Sequence, residues 1–263
     1  MKKGQISYFL LIALILLISS SFVFYVNDLE PKKSKEKAEF EAASLDLASP
    51  IRNYVNLCLK KTGEDALYFI GLQGGFFKEQ AYKVDSKGFF SEFAHTIYIQ
   101  NDKNVMPSLQ TIEKELSKFV DNNLQYCIND FETFRNLGYE IKSNEFSTAT
   151  SITKNSVAFN LNFPITILKG QNVATMEKFS MEIPSRLDLI YNLANEVTED
   201  QLSHLNSICI SCLIELGDTN NLYFELFPRE TNITIVTVED NQTKLNNEPY
   251  LFAFAFNHSI TSS

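Results

Sequence analysis

From Gln5 to Asn27 the chain carries no charged residue, and the run Ile6 to Val26 ("ISYFLLIALILLISSSFVFYV") is apolar almost throughout. As a helix rising 1.5 Å per residue, about twenty-one residues cover roughly the 30 Å hydrocarbon core of a bilayer. No polar face interrupts the run at helical spacing, which argues against a helix buried in a soluble domain. A secretory leader would have a shorter apolar core, about 7 to 15 residues, closed by a small-residue cleavage site. Here the run continues through "SSSFVFYV" into "NDLEP". The expectation is a transmembrane anchor over residues 1–27, touching membrane lipid through residues 6–26.

Basic residues flank the run on both sides, Lys2 and Lys3 before it and Lys32, Lys33, Lys35 and Lys37 after it. A count of Lys and Arg alone would put the C-terminal side in the cytoplasm. Against that count, "MKKGQISYF" resembles the start of archaeal type IV pilin precursors, which have a short basic leader, a Gly, a Gln and an uninterrupted apolar helix. The resemblance covers about the first twenty-six residues. It implies cleavage by a membrane peptidase between Gly4 and Gln5, a cytoplasmic N-terminus and a C-terminal body outside the cell. The chain departs from that family at Phe9, where many pilins carry a Glu.

The rest of the chain, roughly 235 residues, is long enough for one large domain or two small ones, and its 22 Phe and 11 Tyr can fill a core. A formal net charge of −9, with no basic cluster beyond residue 61, argues against nucleic acid as a partner. The tract "EPKKSKEKAEFE" is mixed in sign and has Pro31 near its start, so residues 28–48 read as a charged juxtamembrane linker, with the domain proper over 49–263.

In "ASPIRNYVNLCLKKTGEDALYFIGLQGG" Ser49 is placed to cap a helix and Pro50 to occupy its first turn, with Gly74 and Gly75 as the stop. Ile51, Tyr54, Val55, Cys58, Leu59, Leu67 and Ile70 would share its buried side. A second helix of about seven turns is expected from Pro107 and Ser108 to Gly138, burying Leu109, Ile112, Leu116, Phe119, Leu124, Cys127, Phe131 and Phe134. Between the two, an aromatic stretch without a period suggests a hairpin or excursion. After Gly138 the period becomes two. Val157, Phe159, Leu161, Phe163, Ile165 and Ile167 face one way, "KGQN" turns the chain, and Phe179, Met181 and Ile183 continue the apolar face, with Pro164 marking an edge or a bulge.

One or two further helices follow between Ser185 as cap and Gly217 as stop, and the strands "LYFELF", "NITIVTVE" and "YLFAFAF" close the chain, the last two joined by "DNQTKLNNEP". This order gives an α+β class rather than alternating βα units: a transmembrane helix, then long packed helices on an antiparallel sheet with one face covered. Four passages, "RNYVNLCLKKTGEDALYFIGLQGG", "EIPSRLDLIYNLANEV", "CISCLIELG" and "NNEPYLFAFAF", make most of the chain similar to a group of uncharacterised membrane-anchored proteins of small-genome archaea. That resemblance supports an anchored archaeal protein and implies no chemistry.

The four cysteines are the one candidate constellation. In an oxidising exterior an even count favours bridges. Two pairings are expected, Cys58 with Cys127 across the long helices and Cys209 with Cys212 in "SICISCL"; the alternative is four small apolar core residues. A zinc site would need a fourth ligand beyond Cys209, Cys212 and His204. A thioredoxin-type pair would sit at a helix N-terminus, and the pattern places this CxxC near the middle of a helix. The chain has no GxSxG, HExxH, GxxxxGK[ST] or GxGxxG, and His95, His204 and His258 lie far apart in sequence. Adjacent acids, Glu64 with Asp65 and Glu199 with Asp200, read as solvated surface. Sequons at Asn232, Asn241 and Asn257 permit glycosylation at a frequency that chance alone would give.

The expected function is therefore structural or interactive, without catalysis, cofactor or metal: a single-pass protein of the cell membrane whose body meets cell-envelope or surface proteins. The alternative is a type IV pilin-like filament subunit. Phe9 and the helix-breaking Pro31 favour the first.

Overall fold

A computed structural model describes residues 47–78, 82–85, 93–204, 207–229 and 232–257. The expected anchor, Gly4 and Gln5, and the linker up to residue 46 lie outside the described residues. Among the described residues no helix is long and apolar enough to cross a membrane.

Helix α1 is already formed at residue 47 and runs to residue 72, so Ser49 lies inside it and is not its cap. Its end matches expectation. Gly75 N–H donates to Ile70 O (2.9 Å) and Gly74 N–H to Gly71 O (3.1 Å), the bond pair that closes a helix when the next residue turns left-handed, and Gly74 has φ +66°. Strand β2 (Ala94–Gln100) then takes up the carbonyls around this terminus. His95 Nδ1–H donates to Leu72 O (2.7 Å), Thr96 Oγ1 to Gln73 O (2.5 Å) and the Tyr98 hydroxyl to Gly74 O (3.2 Å).

Helix α2 (Leu109–Ile128) is capped by Ser108, whose Oγ accepts the Thr111 N–H at 3.2 Å. It does not continue to Gly138 as the periodicity suggests. Asn129, Asp130 and Phe131 take left-handed φ values of 44°, 48° and 56°, and a short helix α3 (Glu132–Asn136) follows. Asn129 and Asp130 enter this region readily, whereas Phe131 does so against the chirality of L-amino acids, at about 1 to 2 kcal/mol. Tertiary contacts offset this. Phe131 is buried against Phe163, and Arg135 brackets the break by donating to Asp130 O (2.7 Å) and across to Ile141 O (2.8 Å).

The strands form two sheets rather than the single antiparallel one expected. In the smaller, β6 (Ser156–Lys169) is central. One edge pairs with β7 (Asn172–Pro184), and the other is shared end to end by β4 (Glu140–Ser143) and β5 (Ser147–Ile152). The six apolar β6 positions named above are all buried, as are Phe179 and Ile183. Pro164 sits at a bulge, the register with β7 slipping between Asn162 and Ile165, while on the other side its carbonyl accepts the Asn144 N–H at 3.1 Å. A central strand thus tolerates a residue with no N–H. The outer edge of β5 is covered by α2 side chains: Ser117 Oγ accepts the Thr150 N–H (3.0 Å) and Glu113 the Ile152 N–H (2.8 Å).

The larger sheet combines strands from before α2 with strands from the C-terminal part of the described chain. The aromatic stretch after α1 supplies β1 (Lys83–Asp85), β2 and β3 (Lys103–Asn104), and the C-terminal part supplies β8 (Tyr223–Pro228), β9 (Ile233–Leu245) and β10 (Glu248–Asn257). Their order is β1-β2-β10-β9-β8 with β3 beside β2, and the β2–β10 pair is parallel, so the sheet is mixed. "DNQTKLNNEP" is not a loop. β9 runs through most of it to a two-residue turn at Asn246 and Asn247, both with positive φ, as hairpins with the strands' right-handed twist require. The Phe/Ala alternation in β10 sends Phe252, Phe254 and Phe256 into the main core and Ala255 into a thin second cluster with Ile97 and Ile235.

Helix α1 joins the two sheets into one core. Toward its start Arg52 lies over the Phe179 ring at 5.3 Å and donates to Lys178 O, and near its end Gly71 faces β10. A Cβ on Gly71 would stand 2.5 Å from Leu251 O and 2.9 Å from the Tyr250 ring. Gly71→Ala should therefore destabilise by about 1 to 3 kcal/mol although Ala is the better helix former, lowering Tm by roughly 3 to 9 °C in a thermal melt. An unchanged Tm would refute this close approach. The final helices, α4 (Leu187–Ser203) and α5 (Ile210–Asn220), are separate, and Gly217 falls inside α5 rather than stopping it; Asn221, with φ +53°, ends the helix.

Candidate functional site

Both expected disulfides are present, and between them they use all four cysteines. Cys58 on α1 and Cys127 on α2 have Cα atoms 5.6 Å apart, Cys58 being fully buried. The Tyr54 hydroxyl, one turn before Cys58, donates to Cys127 O at 2.7 Å, and its ring meets Phe134 edge-on. This bridge is part of the core.

The second bridge has a different setting. Cys209 is the N-cap of α5 and Cys212 lies in its first turn, so the CxxC opens a helix instead of lying within one as the sequence pattern suggests. The segment ahead of it, 207–209, is not helical, a break that no Gly or Pro announces. The Cys212 N–H points at Cys209 Sγ at 3.3 Å, Cys212 is exposed, and Cys209 is partly so. The pair lies on an open groove of about 710 Å³ between α4 and α5, lined by Glu196, Glu199, Asp200 and Glu215 with apolar Leu213 and Leu216. No Lys or Arg lines it among the described residues.

A second groove, about 810 Å³, opens where α2 ends against the β4–β5 junction, with Asp121, Tyr126, Asp130, Glu145, Phe131 and Phe163 on its walls. Burial pushes the Asp121 carboxyl above its ordinary value, partly countered by hydrogen bonds from Thr148. Among the described residues no group of three or more His, Cys, Asp or Glu side chains is placed to hold a metal ion.

The other polar candidates do not converge. His95 is buried at the end of α1, where desolvation lowers its pKa against the opposing effect of its bond to Leu72 O, with Arg229 lowering it further. His204 is exposed beside Asp200 at 3.4 Å, and His258 lies outside the described residues. Glu64 and Asp65 face Lys60 and Lys61 one turn back, and Glu199 accepts from Asn104. Of the sequon asparagines, Asn232 donates its Nδ2 to Asn257 Oδ1 (2.9 Å) and Asn257 donates to Gln100 Oε1 (3.0 Å), so both amide nitrogens are engaged across the sheet. Asn241 is exposed on the β9 bulge and donates to Glu239 (2.8 Å).

One charged constellation escaped the sequence reading. Arg186, just before α4, pairs with the fully buried Asp240 on β9 through two nitrogens and donates to Asn220 O (2.8 Å) and Asn221 O (3.0 Å) at the end of α5. Asp240 also accepts from Thr243 Oγ1 (2.5 Å) and the Gln242 N–H (2.9 Å). Burial alone would raise this carboxyl. The Arg186, Thr243 and Gln242 hydrogen bonds and the Arg186 charge outweigh burial and hold it below the usual range. Asp240 is thus a clasp, not a proton donor. Its signal in the sequence was slight, since it stands in a stretch that read as a loop.

No protein-family model matches the chain, no curated protein matches it, and no solved structure matches it.

Proposed function

We propose that this protein is a single-pass, membrane-anchored extracytoplasmic module with a structural or interaction role, held by residues 6–26 with its N-terminus inside. The observation that carries the reading is that all four cysteines are paired, one pair inside the core between the two long helices. Bridges of this kind persist where thiol buffers do not reduce them. The uncharged run ahead of the domain supplies the anchor, and the exposed grooves beside α5 and β4 supply surfaces for envelope or surface proteins.

A second reading, a pilin-like filament subunit cleaved between Gly4 and Gln5, draws on a long first helix laid against antiparallel strands. Protease added to intact cells should cut the body at the lysine tract 32–37, and complete protection until detergent is added would reverse the topology. Mass spectrometry of the N-terminus separates the two readings: a chain beginning at Gln5 favours the subunit, one beginning at Met1 the anchored module.

A further inference from the structure

The groove between α4 and α5 is the one place among the described residues where a reactive bond, a charge pattern and access coincide. We propose that Cys209 and Cys212 form a thiol–disulfide exchange site whose partner is a cationic protein segment bearing a disulfide or a thiol pair. Three observations lead there. The bridge is solvent-accessible, unlike the core bridge at Cys58. Cys209 caps an eleven-residue helix, and the Cys212 N–H directed at its Sγ is placed to hold a thiolate once the bridge opens. Four carboxylates and no Lys or Arg among the described lining residues set the sign of what approaches. The proposal goes beyond the anchoring role and does not depend on how the chain meets the membrane.

The exchange balances in two steps. In the reduced protein the Cys209 thiolate attacks one sulfur of the partner disulfide; that S–S bond breaks, a Cys209–partner bond forms, and one partner sulfur leaves as thiolate. The Cys212 thiol then loses its proton to solvent and attacks Cys209 Sγ, re-forming the Cys209–Cys212 bridge and releasing the second partner thiolate. Two electrons pass from the cysteine pair to the partner, and a partner thiol pair runs the sequence backwards. The charge pattern and the helix terminus have separate tasks. The carboxylates gather a cationic partner across the groove, while the Cys212 N–H acts directly on the sulfur. They also oppose each other, since carboxylates disfavour a thiolate. For that reason the test rests on partner charge and on which sulfur reacts rather than on a pKa.

The full-length protein in detergent serves, in the variants Cys212→Ser and Cys209→Ser, each freed of adducts by mild reduction and desalting. Each is exposed to cystamine, a dicationic disulfide, or to oxidised glutathione, which is anionic, and adducts are followed by peptide mass spectrometry. Cys212→Ser should take up cystamine at Cys209 on the order of tenfold faster than oxidised glutathione, after correction for each reagent's rate with a free cysteine peptide. Molar salt should collapse the difference, as should Glu196→Gln with Glu215→Gln. Cys209→Ser should react several-fold more slowly at Cys212. Circular dichroism serves as the check that each variant is folded, and Ser at 209 keeps an N-cap acceptor. Equal rates for the two reagents, or faster reaction at Cys212 than at Cys209, would overturn the proposal and identify an exposed structural bridge. In the wild type, opening of the Cys209–Cys212 bridge only together with Cys58–Cys127 on unfolding would overturn it as well.

Discussion

Arg186→Met should destabilise the folded domain by about 3 to 5 kcal/mol at pH 7, because it removes the cation paired with the fully buried Asp240 carboxylate and frees two carbonyls at the end of α5. In a thermal melt that corresponds to a fall of roughly 6 to 20 °C. The pH dependence identifies the cause. In the wild type the Asp240 carboxyl titrates below its unfolded value, so its contribution is complete above about pH 4 and is lost as pH falls through the folded value. In the Met variant burial dominates, the carboxyl titrates higher, and protonation on acidification relieves the unpaired charge. The stability gap between the two proteins should therefore narrow from pH 7 toward pH 3. A gap below about 1 kcal/mol at pH 7, or one constant across that range, would remove the clasp from the account of stability.

Opening the core bridge should have an effect of similar size. Cys58 and Cys127 are 69 residues apart in sequence, and the chain-entropy description gives about 4 kcal/mol for a loop of that length. Cys58→Ala with Cys127→Ala should lower the Tm of unreduced protein by roughly 8 to 16 °C. Part of the loss comes from the vacated space at Cys58, which is closely packed; Cys58→Val with Cys127→Ala refills it and should recover a small part only. Non-reducing peptide mapping should link Cys58 to Cys127 in protein taken from cells. Free thiols at both positions would contradict the bridge and remove the main support for an outward-facing domain.

Much of this architecture followed from local pattern. Period-two burial along β6 was plain because one face of that strand meets the core and the other does not, so each inward position had to be apolar. The ends of α1 and of the α2–α3 segment were marked by Gly74 and Gly138, since a left-handed closing residue is cheapest without a Cβ. The pairing of Cys58 with Cys127 was foreseeable because both lie on apolar faces of helices that had to meet.

Where the reading failed, the deciding contacts were distant. In "CINDFETF" Asn129 and Asp130 offer a left-handed stop, but the apolar period runs on past them through Phe131 and Phe134; Phe131 turns inward because Phe163 lies across from it, and Arg135 reaches Ile141 to hold the turn. The parallel pairing of β2 with β10 joins segments separated by most of the domain, a relation no window of sequence contains. The CxxC moved from mid-helix to helix start because periodicity cannot distinguish one amphipathic helix from two that share an apolar side. Asp240 and Arg186, 54 positions apart, find each other only when the β9 bulge is built. By itself the sequence determined most of the element types, their buried faces and the cysteine partners, because these depend on neighbours within a few residues or on the apolar faces they create. The tertiary structure alone decided the division into two sheets, the break after α2, the buried ion pair and the accessible position of Cys209 and Cys212, because each depends on a partner brought near only by folding.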